Sequence, residues 1–249
     1  MRALTCWMLA LWLVAPAWCD AGGRFKVQYA PAEGEFGRQM EQLLRQNRGF
    51  ELLADELTKI IILPRDITIV FAEIGQTNAF YSPEHHAIIM GYELMEYYGN
   101  LFANLGYSGE NWGTYVIGAT VFAFMHELGH ALINELALPI TGREEDAADE
   151  FATLTLLEAG DFGKVSAASA AVWFLAGSQP DAAKMVFWDE HSLNQQRCFD
   201  ILITLYAADP VNFAFVADQI PAQRLERGKR DLERKKRAWD QLLAPHLRG

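Results

Sequence analysis

One segment constrains this chain more than any other. Across residues 111–136, Val116, Ile117, Val121, Phe124, Leu128, Ala131 and Leu132 recur at helical spacing, with His126-Glu127-Leu128-Gly129-His130 embedded among them. Positions four apart share a helix face, so two imidazoles project side by side from a segment otherwise suited to burial. A buried helix carrying two polar rings on one face obliges the fold to bring another polar element against them. Gly118 and Gly129 also stand out, because a glycine inside a helix costs ~1 kcal/mol relative to alanine. They read as points of close backbone approach.

The next element is built to answer the histidines. Pro139 and Gly142 turn the chain, and Thr141-Gly142-Arg143-Glu144 reads as a capping box opening a helix that ends near Gly160. Within that helix Glu145 and Asp149 sit at i and i+4 on one face, which an antiparallel return places opposite His126 and His130. Two neutral imidazoles and one carboxylate suit a single Zn²⁺, leaving its fourth position to water. The expected metal ligands are His126, His130 and Glu145. Glu127, angled beside them, is the expected general base, acting on a water whose pKa the metal lowers. Asp149 is placed to accept the distal N–H of a ligating ring, that of His126, and Glu144 to be occupied in capping.

Elsewhere the chain reads as a mixture of helix and short strand with no internal repeat. Residues 20–35 are mainly polar; Phe36 to Leu57 is helical with a break near Gly49; Ile67 to Phe71 has the composition of a strand. Asn78 to Tyr81 and Ala87 to Met90 form a hairpin around Ser82-Pro83-Glu84-His85, feeding a helix from about Tyr92. Helices are expected over Val165 to Leu175, Asn194 to Tyr206 and Val211 to Ile220, and the basic run Arg224 to Arg237 reads as a solvated helix face. The fold class is α+β and zincin-like, mostly helical, with a small β-sheet over the active-site helix.

Met1 to Ala17 carries one positive charge, an apolar run and a small-x-small pattern at Ala15-Pro16-Ala17, the marks of an export signal. The expected organisation is a signal peptide over 1–19, a lobe over 20–160 carrying both motifs, and a helical lobe of the same domain over 161–249. The expected location is periplasmic or secreted, with no membrane span once the signal is removed. Cys19 and Cys198 pair only if cleavage leaves Cys19 in place, which the sequence leaves open. With 21 basic and 32 acidic residues the net charge is −11, which argues against a nucleic-acid partner.

The pattern HExxH followed by ExxxD, matched by His126 to His130 and Glu145 to Asp149, resembles the gluzincin metallopeptidases. The chain is also similar to a bacterial metallopeptidase family of unknown function that carries "NAFYxP…I…YEL" before the motif and "xxQRxFxI" after it. Asn78 to Pro83, Tyr92 to Leu94 and Gln196 to Ile201 fit those stretches. The resemblance implies a zinc-dependent peptidase, and an edge strand of Asn78, Ala79, Phe80 and Tyr81 that pairs with an extended peptide or protein substrate. A donor to the developing oxyanion is then wanted, with His191, Arg197 and Tyr206 as candidates. The rival function class is a zinc-stabilised binding or inhibitory module of the cell envelope that does not turn over substrate. Natural substrate, endo- or exo-action and oligomeric state are not written in the sequence.

Overall fold

The computed structural model describes residues 22–178 and 189–248. The expected signal, with Cys19, lies outside the described residues. Cys198 is buried and forms no disulfide among them.

The architecture is α+β, mostly helical, with a mixed four-stranded sheet. The strands are β1 (Phe25–Tyr29), β2 (Ile67–Ala72), β3 (Ala79–Ser82) and β4 (Ala87–Gly91), in the order β1-β2-β4-β3. β1 and β2 are parallel, as are β2 and β4, while β3 returns antiparallel to β4 as an outer edge. β1 corrects the reading of residues 20–35 as merely polar. Its sequence FKVQY alternates, so Phe25 reaches the core while Lys26 stays in solvent. In β2 the same alternation sends Ile67, Ile69 and Phe71 fully inside.

The helices are α1 (Glu35–Asn47), α2 (Gly49–Ile60), α3 (Tyr92–Asn104), α4 (Gly109–Glu135), α5 (Glu144–Glu158), α6 (Gly160–Ala176), α7 (Asn194–Ala208) and α8 (Ala222–Leu243). The break between the first two falls at Arg48, which takes a left-handed φ of 53°. The helix expected over Val211 to Ile220 is instead a turn and a short 3-10 segment, Ala214–Asp218. The cause is local: the Asp209 carboxylate accepts the Asn212 N–H at 3.1 Å, and such side-chain capture diverts the backbone from helix.

α4 is the centre of the molecule. It is long and apolar enough to cross a membrane, but it is largely buried inside the fold, as a core helix is. α5 and α6 pack along it, and β3 and β4 lie across it. Its two interior glycines set the depth of that packing. A Cβ on Gly129 would stand 3.1 Å from Ala148 Cα on α5, and one on Gly118 would stand 3.1 Å from Ser166 Cα on α6. Close approach at Gly129 brings the acidic face of α5 onto the histidines.

Candidate metal centre

Glu127, although charged, is buried within α4, and so is His126. His126 and His130 sit one helical turn apart with their Nε2 atoms 3.2 Å from each other. Glu145, in the first turn of α5, spans the pair: Oε2 lies 3.1 Å from His126 Nε2 and Oε1 lies 3.3 Å from His130 Nε2. A third ring joins from the loop before α7, where His191 Nε2 is 3.0 Å from Glu145 Oε2. Donor atoms of His126, Glu145 and His191 all lie within 4.8 Å of one another.

Each of the three rings is held at its other nitrogen by a carboxylate. His126 Nδ1 donates to Asp149 Oδ1 at 2.8 Å, His130 Nδ1 to Glu144 Oε1 at 2.7 Å, and His191 Nδ1 to Asp189 Oδ1 at 3.0 Å. Fixing Nδ1 as the donor leaves Nε2 as the free lone pair, and all three Nε2 atoms turn toward Glu145. Asp149 is itself fixed by Arg197, whose Nε and Nη2 donate to its two oxygens at 2.6 and 2.7 Å. The guanidinium also lies 4.0 Å above the Phe174 ring centroid.

These contacts move the proton affinities in consistent directions. Burial opposes the charged form of His126 and His130, yet their carboxylate partners outweigh it and raise both, His130 to about 9. Burial would raise Glu145 and Asp149 too, but the imidazoles draw Glu145 far below the carboxylate range, and Arg197 with His126 brings Asp149 to about 2. Glu127 goes the other way, raised chiefly by burial, with the neighbouring imidazoles and the Tyr81 N–H pulling against the rise. That N–H donates to Glu127 Oε2 at 2.8 Å, tying the edge strand to the carboxylate.

Two expectations need correcting. Glu144 is not a capping residue: the N-cap position is Arg143, no side chain caps the helix, and the Glu144 carboxylate holds His130 instead. Gly142, at φ +116°, turns the chain just before the helix and leaves Thr141 outside it. Tyr206 is not at the site. It lies on α7 nine residues beyond Arg197, about 13 Å along the axis at 1.5 Å per residue, within electrostatic reach of Lys229. Arg197 is close by, but its Nε and Nη2 are engaged on Asp149. Of the three oxyanion candidates, His191 faces the cluster, with its Nε2 turned to Glu145 Oε2 at 3.0 Å. The sequence reading missed Asp189 entirely, because a carboxylate two residues before a loop histidine has no periodicity to reveal it.

An α+β fold with a histidine–carboxylate cluster on its central helix defines a candidate metalloenzyme. Residues 29–243 match the family described as "Putative metallopeptidase", and the chain belongs to that family. No curated protein and no solved structure matches the chain.

Proposed function

We propose that this protein is a zinc-dependent peptidase of the gluzincin type on a zincin-like fold, exported to the periplasm or beyond. One observation carries the reading. Four bonds of ~2.0 to 2.1 Å in a tetrahedron put neighbouring donors about 3.3 to 3.4 Å apart. The Nε2 atoms of His126 and His130 lie 3.2 Å apart and the Glu145 carboxylate reaches each with a different oxygen, Oε2 to His126 at 3.1 Å and Oε1 to His130 at 3.3 Å, spacings close to those such an ion requires. The donor chemistry, two imidazoles and a carboxylate, also fits zinc.

His126, His130 and Glu145 would hold the ion, and Asp149 and Glu144 orient the rings. These three come from regular helices, whereas His191 comes from a more exposed loop, and a catalytic site keeps one position open. When bound, zinc supplies Lewis-acid polarisation of the substrate carbonyl and makes a water acidic enough to react near neutrality. Glu127 takes the water proton and returns it to the departing amine; its burial and raised proton affinity suit both acts. His191, its Nδ1 held by Asp189 and its proton affinity raised by Glu145, would donate from Nε2 to the developing oxyanion as the doubly protonated imidazolium.

The substrate pairs with β3. Asn78 and the residues at even spacing from it bond to β4, as the Gly91 N–H to Asn78 C=O contact of 3.1 Å shows. Ala79 and Tyr81 therefore point their backbone groups at the free edge. Glu127 takes the Tyr81 N–H, so a peptide strand is left the N–H and C=O of Ala79 and the C=O of Tyr81. The export assignment is supported by the signal-like pattern of Met1 to Ala17.

Glu127→Gln tests the chemistry. Zinc content should stay at one ion per chain while peptide hydrolysis falls by roughly 10²-fold or more, since proton transfer is lost but the ligands are not. Hydrolysis at the original rate by the variant would remove Glu127 from the mechanism.

A further inference from the structure

The edge strand β3 is pinned to α4 at two points, and one residue makes both. The Tyr81 N–H donates to Glu127 Oε2 at 2.8 Å, while the Tyr81 hydroxyl donates to Glu135, with Asn134 Oδ1 a second acceptor 3.3 Å away. From Glu127 to Glu135 the chain advances about 12 Å along α4 at 1.5 Å per residue. Tyr81 thus spans two turns of the central helix, its main chain at the proposed general base and its side chain at the helix end.

The Glu135 end is the more heavily anchored. His86 Nδ1 donates to Glu135 Oε1 at 2.6 Å, and Arg65 meets Oε2 through Nε at 3.3 Å and the ring through Nη1, 3.2 Å from His86 Nε2. A guanidinium only donates, so His86 Nε2 accepts and Nδ1 carries the proton. Burial, then Glu135, raise the proton affinity of the Tyr81 hydroxyl, which keeps it a donor. The loop before β2, the hairpin turn and β3 therefore converge on one carboxylate. The Glu127 contact, in contrast, is a single main-chain hydrogen bond from an edge strand of four residues. A base counts in catalysis only when its oxygen sits on the proton it takes, and small displacements cost rate out of proportion. We propose that Glu135 and the Tyr81 hydroxyl are positioning residues for Glu127: by fixing β3 along α4 they hold the Tyr81 N–H on Oε2, which leaves Oε1 to take the water proton. The inference rests on the peptidase reading above.

The test compares wild type, Tyr81→Phe and Glu135→Gln as zinc-loaded full chains. Tyr81→Phe removes the hydroxyl but keeps the ring and the N–H, so kcat should fall roughly tenfold or more while KM stays within about twofold, the mark of an interaction made only in the transition state. Glu135→Gln keeps a carbonyl oxygen for the hydroxyl while taking the charge from Arg65 and His86. Its kcat should stay within about threefold of wild type although it is the less stable variant. Amide exchange gives a readout independent of turnover: the amide at position 81 should exchange at least roughly tenfold faster in Tyr81→Phe, while amides within α4 keep their protection. Unaltered exchange at position 81, a kcat for Tyr81→Phe within about twofold of wild type, or a rise in KM alone would overturn the inference and leave the peptidase reading intact. Losses of kcat that follow the losses of stability across the two variants would overturn it too, because a purely structural clamp predicts that order. If zinc-loaded wild type cuts no peptide at all, the peptidase reading falls, and this inference with it.

Discussion

Two carboxylates near the same stretch of α4 keep similar company and are balanced in opposite ways. Glu135, the last residue of α4, has a side chain only 3% exposed and is met by the Tyr81 hydroxyl, by His86 Nδ1 at 2.6 Å and by Arg65 Nε at 3.3 Å. Glu145 is met by three imidazoles and, among the described residues, by no arginine or lysine. A guanidinium is charged at every pH at which proteins fold, whereas an imidazole is charged only on condition. Glu135 therefore carries its counter-charge within the chain. Glu145 depends on protons borrowed by its histidines or on a cation from outside, and donors already spaced for a small ion favour the cation. Similar residue types yield a structural clamp in one place and a candidate metal site in the other, and the permanent charge of Arg65 makes the difference.

The largest effect comes from supplying or removing that cation. Free zinc at a thousandfold excess over its Kd should stabilise the fold by about 4 kcal/mol. For a chain of this length that is roughly 8–16 °C in melting temperature, reversed by a chelator. In Glu145→Gln the zinc-induced shift should all but vanish. In Glu135→Gln it should persist in full, because the two carboxylates have separate partners. A full shift in Glu145→Gln would dissolve the distinction between them.

The second effect is on stability without metal. Glu135→Gln leaves Arg65 and His86 facing a neutral amide, and Arg65 is more than half exposed, so water recovers part of the loss. A destabilisation of about 1–2 kcal/mol in urea is expected, less than for a fully buried pair. Zinc affinity should change by no more than about twofold, because second-site contacts to the ligands are untouched. A large fall in affinity would show that the clamp also sets the metal site, acting through Tyr81 and its N–H bond to Glu127.

The same contrast explains what was legible in the sequence. His126, His130, Glu145 and Asp149 could be found because helical geometry fixes which residues four apart share a face, and spacing along the chain then stands in for distance. Glu144 was visible but misassigned: a first-turn carboxylate satisfies a capping pattern in sequence whether or not its side chain turns back. Asp189, and the link from Tyr81 to Glu127, depend on loop and strand-edge placement that no periodicity encodes. Likewise, nothing in the hairpin turn reveals that His86 is taken by Glu135, 49 positions away. β1 was missed because its alternation is only five residues long and its polar members resemble the flanking segment.

A third carboxylate sharpens the comparison at its mildest end. Asp209, just after α7, is held by Lys164 Nζ at 2.6 Å and by Asn212 Nδ2 at 2.8 Å, tying the start of α6 to the end of α7. Lys164, then Asn212, draws its carboxyl from 3.8 down to about 2. Because the folded value lies below the unfolded one, the pair contributes fully above pH ~4 and loses its contribution as the pH falls toward ~2. Lys164→Ala should therefore lower the urea midpoint slightly at pH 7, and the gap from wild type should close across that acid window. Added salt should narrow the gap at pH 7 as well, since the pair is close to solvent. A gap that stays constant down to pH 2 would mean that Lys164 acts through the packing of its methylene stem, and that Asp209, like Glu135 but unlike Glu145, needs no cation it does not already have.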